Sequence, residues 1–147
     1  MPGLFGVNTP RMLYERLSRS LRAFADEPSE DGVFEVIFPL YHLREWICPG
    51  GHETYRHTPE LQRTREQALH SRLYDMEEYQ IIRDLCNNAK HFEDQENGRD
   101  MRILEGARAE LVRAGDRLGV MHFVVDGQEI RECFDAIFRE YSAYFEN

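Results

Sequence analysis

The sequence has no apolar run approaching the roughly 20 residues that a membrane span needs, so no membrane association is expected. Cysteine is scarce: Cys48, Cys86 and Cys133 are odd in number and far apart. With no signal-peptide pattern at the N-terminus, they read as reduced thiols and predict a cytoplasmic protein. Positive charge is in deficit, with 18 Lys and Arg against 27 Asp and Glu, a formal charge of -9. A protein that gains affinity by neutralising phosphates needs the opposite balance, so broad DNA binding is not expected. A small basic site on an acidic body stays open. Lysine occurs once, as Lys90, which codon usage explains simply. There is no Gly-rich phosphate loop, no Ser-His-Asp signature and no carboxylate cluster of metal-site type. Kinases, NTPases and hydrolases of the common sorts are thereby set aside.

What is present reads as one globular domain of 147 residues, 41% hydrophobic and 31% charged, long enough to bury a core. Residues 1–8 are a loose lead-in. A four-helix portion then runs over about 9–91. Thr9 suits an N-cap with Pro10 at the first helical position, and Leu13, Leu17, Leu21 and Phe24 follow at helical spacing. Ser29 suits the cap of a second, very apolar helix, "VFEVIFPLYHLREWI", with Phe34, Phe38 and Trp46 widening its buried stripe. Pro39 in its middle predicts a kink or restart; a strand over 33–38 is the alternative. "CPGGHETYRHTP" is a loop. A polar helix is predicted from Pro59 to about Tyr74, with Leu61, Ala68, Leu69 and Leu73 as its apolar positions. Asp75 then suits a cap for a fourth helix, with Glu78 at the capping-box position. The run "EDQENGRD" is turn-like. Valine enrichment and Asp126-Gly127 predict a small antiparallel β unit over about 101–130, although "LEGARAELVR" is equally compatible with helix. Ile130, Phe134, Ile137, Phe138, Tyr141 and Phe145 mark a C-terminal helix over about 130–146.

The chemistry concentrates in "RDLCNNAKHF", residues 83–92. Helical residues four apart lie nearly above one another, so Arg83, Asn87 and His91 form a polar stripe beside Ile82, Cys86 and Ala89. Asn88 and Lys90 flank it. Arginine can grip a phosphate, asparagine can orient a hydroxyl, and histidine can move a proton near neutral pH. A metal-independent ribonuclease needs those parts. The same residues also make structural glue: Lys90 and His91 complement a helix C-terminus, while Arg83 and Asn87 can tie down loop carbonyls. Polar stripes of this length usually serve packing or solvation.

"YHLREWI" followed some forty residues on by "RDLCNNAKHF" resembles a group of uncharacterised bacterial proteins. In these an H-L-x-[DE]-W helix precedes an R-D-[LIV]-x-N-x-x-K-H helix. The resemblance covers roughly residues 33 to 145, and the arrangement is similar to the HEPN superfamily. It implies a mainly α fold: a HEPN-like up-and-down helical bundle with a small antiparallel β unit before the C-terminal helix. It further implies RNA cleavage or processing in a defence or toxin-like context. Arg83, Asn87 and His91 would be catalytic, Asp84, Asn88 and Lys90 would contact substrate, and no metal or other cofactor would be required. Active members tend to dimerise, so a homodimer, RNA or a partner protein are the implied partners. The HEPN signature places four to six residues between Arg and His; here seven intervene, turning the histidine by about 80° from the arginine. Members with degraded motifs act as binding or assembly modules, and that alternative stays open.

Other constellations carry less. Cys48, His52 and His57 supply zinc-type ligands at a spacing that matches no standard finger; solvated loop histidines are the competing reading. His42, Arg44 and Glu45 share the apolar second helix, where a histidine is usually a satisfied core residue and Glu45 is placed to pair Arg83 or His91. Cys86 reads as a small core residue, and neither it nor Cys133 has a nucleophile's companions. His70 and His122 look incidental. The aromatic C-terminal helix either covers the sheet or forms part of a dimer interface.

Overall fold

The computed structural model describes residues 6–90, 99–106, 111–117 and 119–147, with the backbone alone at 89 and 90. Helix α1, Pro10–Asp26, starts as its sequence dictates: the Thr9 hydroxyl accepts the Met12 N–H at 3.1 Å, and Pro10 occupies the first helical position. Helix α2, Glu30–Ile47, is capped by Ser29, whose hydroxyl accepts the Gly32 N–H at 2.9 Å. It runs through Pro39 without the expected restart. An internal proline costs about 3 kcal/mol, but Val36, Ile37, Leu40 and Leu43 on both sides of it are fully buried and hold the two halves in one helix. Phe34, expected to widen the buried stripe, is half exposed.

The third helix begins later than the sequence pattern suggests. Pro59 precedes a short 3-10 turn, Glu60–Gln62, in which Leu61 is fully exposed. Helix α3, Arg65–Asp75, starts behind a capping box: the Thr64 hydroxyl accepts the Gln67 N–H at 3.1 Å, and the Gln67 side chain accepts the Thr64 N–H at 3.0 Å. That reciprocal pair satisfies two of the N–H groups that a helix start leaves without an intrahelical partner. Asp75 ends α3 rather than capping the next helix, and Met76 separates it from α4, Glu77–Lys90.

A three-stranded antiparallel sheet precedes the last helix, in the order β1 (Met101–Glu105), β2 (Met121–Val125), β3 (Gln128–Glu129). Val125 pairs with Gln128 across Asp126 and Gly127. Both turn residues have positive φ, 51° and 79°, as the tight two-residue hairpin requires. Helix α5, Ile130–Glu146, follows β3 directly. The protein is thus mainly helical, with a small antiparallel sheet before its C-terminal helix. One core joins α1 through α5 and β2, centred on Leu17, Leu40, Tyr79, Phe134 and Tyr141. Among the described residues, no helix is long and apolar enough to cross a membrane.

A buried ion network pins the hairpin to α5. The Arg131 side chain donates to both Asp116 oxygens at 2.7 and 3.0 Å, to Glu129 Oε1 at 2.6 Å and to the Leu111 carbonyl at 3.1 Å. Hydrogen bonds from Arg131 lead the effects that hold the Asp116 carboxyl down at about 2. Removing one partner of such a network strands buried charge on the others. Arg131→Met should therefore cost about 3–5 kcal/mol, read as a lower urea midpoint with an unchanged m-value.

Candidate functional site

Helix α4 presents Arg83, Asp84, Asn87 and Asn88 half-buried, beside the fully packed face of Tyr79, Ile82, Leu85 and Cys86. The structure brings Arg83 and Asp84 together, but in a clasp that points to the hairpin. Arg83 Nη2 lies 3.4 Å from Asp84 Oδ1. The other Asp84 oxygen accepts from Arg99 Nε at 2.8 Å, and Arg99 Nη1 donates to Asp126 Oδ2 at 2.7 Å. Asp126 in turn accepts the Asp100 N–H at 3.0 Å, while its own N–H donates to the Asp100 carbonyl at 2.8 Å. The Arg99 guanidinium and the Asp100 N–H hold the Asp126 carboxyl below the usual carboxylate range. A relay of alternating charge therefore runs from α4 to the β2–β3 turn. Arg83 Nε is buried with no hydrogen-bond partner among the described residues.

The remaining expected site residues are dispersed. Asn87 stands one turn beyond Arg83 on α4. Asn88 faces elsewhere, into an apolar groove of about 390 Å³ lined also by Val33, Phe34, Leu85, Met101 and Ile103. The Lys90 side chain and His91 lie outside the described residues, and so does any convergence of His91 on Arg83. Helices α2 and α4 do pack together, yet the expected Glu45–Arg83 pair is not formed. Arg83 meets its neighbour Asp84 instead, while Glu45 is exposed. His42, expected in the core, is exposed and stacks on Phe38 at 6.5 Å.

The weighed zinc ligands diverge. The Cys48 thiol lies 3.7 Å from the Thr54 hydroxyl, His52 sits edge-on to Tyr55, and His57 Nε2 accepts from Arg56. Among the described residues, no three His, Cys, Asp or Glu side chains are grouped to hold a metal ion. Burial pushes the Cys86 and Cys133 thiols up to about 12, so both are inert packing groups.

Two polar centres escaped the sequence reading. His122, fully buried, lies 3.6 Å from Glu129 and shares a 3.1 Å hydrogen bond with the Gly106 carbonyl. His70, only 3% exposed, lies within 3.0 Å of Arg44 and 2.6 Å of the Tyr55 hydroxyl. Burial foremost, then the charge of Arg44, lowers the His70 pKa to about 4. The sequence placed Arg44 on an apolar helix beside His42 and Glu45, but nothing local marked its partner 26 residues on. No protein-family model, curated protein or solved structure matches the chain.

Two outcomes follow from this geometry. Asp84→Ala should free Arg99, cost about 1 kcal/mol for these partly exposed pairs and speed amide hydrogen exchange at Val125 and Asp126. His70 binds its proton more weakly folded than unfolded, so stability should fall as pH drops from about 6.5 to about 4. His70→Gln should flatten that part of the stability–pH curve measured by urea unfolding.

Proposed function

We propose that this chain is a HEPN-like binding or assembly module in which the Arg83-to-His91 stretch serves structure rather than turnover. The observation that carries this reading is the clasp: Asp84 is shared between Arg83 and Arg99, and Arg99 reaches the turn at Asp126. A carboxylate engaged by two guanidiniums holds α4 against the hairpin and has little freedom to serve a substrate. The seven-residue gap between Arg83 and His91 agrees with such a use. The helical architecture, with its sheet before the last helix, is what the resemblance leads one to expect. A charge of -9 disfavours tracking along RNA, so the partner is a protein, a second copy of the chain included. Three buried free thiols suit a reducing, cytoplasmic setting.

A second reading, a metal-independent ribonuclease of defence or toxin type, draws on one observation. The Arg83 side chain is 37% exposed and its contact with Asp84 is long, at 3.4 Å, so its guanidinium can turn toward a phosphate. Incubation of a mixed RNA pool in EDTA with wild type, Arg83→Ala and His91→Ala separates the two. The module reading expects no cleavage by wild type and a lower melting temperature for Arg83→Ala. Cleavage by wild type that is lost in both variants establishes the ribonuclease instead.

A further inference from the structure

Between α2, α3 and the short 3-10 turn Gly51–Thr54, a polar cleft of about 710 Å³ is lined by Arg44, Gly51, His52, Tyr55, His70 and Ser71. Arg44 is 8% exposed, and burying a guanidinium is costly unless an opposite charge compensates it. Arg131, equally buried, has Asp116 and Glu129 for that purpose. Among the described residues, no carboxylate lies within the 4.0 Å of an ion pair to Arg44. Its Nε donates to the His70 carbonyl at 2.9 Å and its Nη2 to His70 Nδ1 at 3.0 Å, while the Tyr74 and Tyr79 rings lie 5.5 and 5.4 Å away.

Arginine can only donate, so Nδ1 of His70 must offer its lone pair and the neutral ring carries its proton on Nε2. A Cβ at position 51 would stand 3.2 Å from that Nε2, and Gly51 has a φ of +61°. Glycine there leaves room beside the N–H. Ser71 accepts from Arg63 at 3.2 Å and also engages the Tyr55 hydroxyl, so it is part of the cleft's wall and not a free donor. The cleft therefore offers a buried cation with no ion pair among the described residues and the His70 Nε2–H, with the exposed carboxylates of Glu45 and Asp75 farther out on its wall. One positive charge calls for one negative charge, and carboxylates nearby disfavour a dianion.

We propose that this cleft binds a small organic carboxylate, held by the Arg44 guanidinium and the Nε2–H of His70. The site goes beyond the binding-module reading and stands apart from the α4 clasp, so its failure leaves that reading untouched. The test is an acetate titration of the ¹⁵N-labelled full chain, followed in long-range ¹H–¹⁵N histidine spectra at neutral pH. A saturable shift of the His70 ring signals is expected, and it should vanish in Gly51→Ala, which crowds Nε2. Arg44→Lys is a second variant, expected to weaken binding at least tenfold because the guanidinium fork is lost. The proposal is overturned if sodium chloride at matched ionic strength gives the same shift, or if Gly51→Ala, still folded, responds as wild type does. Tighter binding of inorganic phosphate than of acetate overturns the carboxylate assignment.

Discussion

The constraint on which the rest depends is the burial of α2 on several sides at once. Its carbonyl oxygens each have a second lone pair, and neighbouring helices use them. The Tyr141 hydroxyl of α5 donates to the Leu40 carbonyl at 2.8 Å, and the Tyr79 hydroxyl of α4 donates to the Tyr41 carbonyl at 2.9 Å. The Cys86 thiol of α4 adds a contact to the Ile37 carbonyl at 3.3 Å. A buried hydroxyl without a partner is costly, so these contacts fix where α4 and α5 sit along α2. Apolar packing alone would hold the helices together without choosing that height.

Charge then does locally what the tyrosines do centrally. Asp84, Arg99 and Asp126 tie the middle of α4 to the β2–β3 turn, and Arg131 with Asp116 and Glu129 ties the hairpin to α5. Both devices act beside the apolar contacts that β2 makes through Phe123 and Val125. Arg44 differs from these arginines: its neighbours are a carbonyl, an imidazole and two aromatic rings. The same residue type thus closes a structure in two places and leaves a charge open in a third.

What could be read from the sequence was what local chemistry decides. Thr9 with Pro10, Ser29, and Asp126-Gly127 each specify a cap or turn from within a few residues, and each forms as expected. The start of α3 was misplaced because Pro59 is a visible signal, whereas the Thr64–Gln67 box becomes decisive only once both partners fold back. The polar stripe at Arg83 was legible as a stripe, but its use was not. Arg99, which gives Asp84 its role, lies 15 residues away in a stretch that reads only as a turn. His70 and His122 looked incidental for the same reason, since their environments are assembled by elements distant in the chain.

The strand order β1-β2-β3 places β1 at the margin of the sheet, where among the described residues it pairs with β2 alone. Met101 and Ile103 on it are exposed, so its free backbone edge is a template on which another extended chain can add. The strand is only five residues long, and Asp100, Arg102 and Glu105 place charges of both signs along or beside it. Charges so placed oppose the stacking of a second extended chain against this edge.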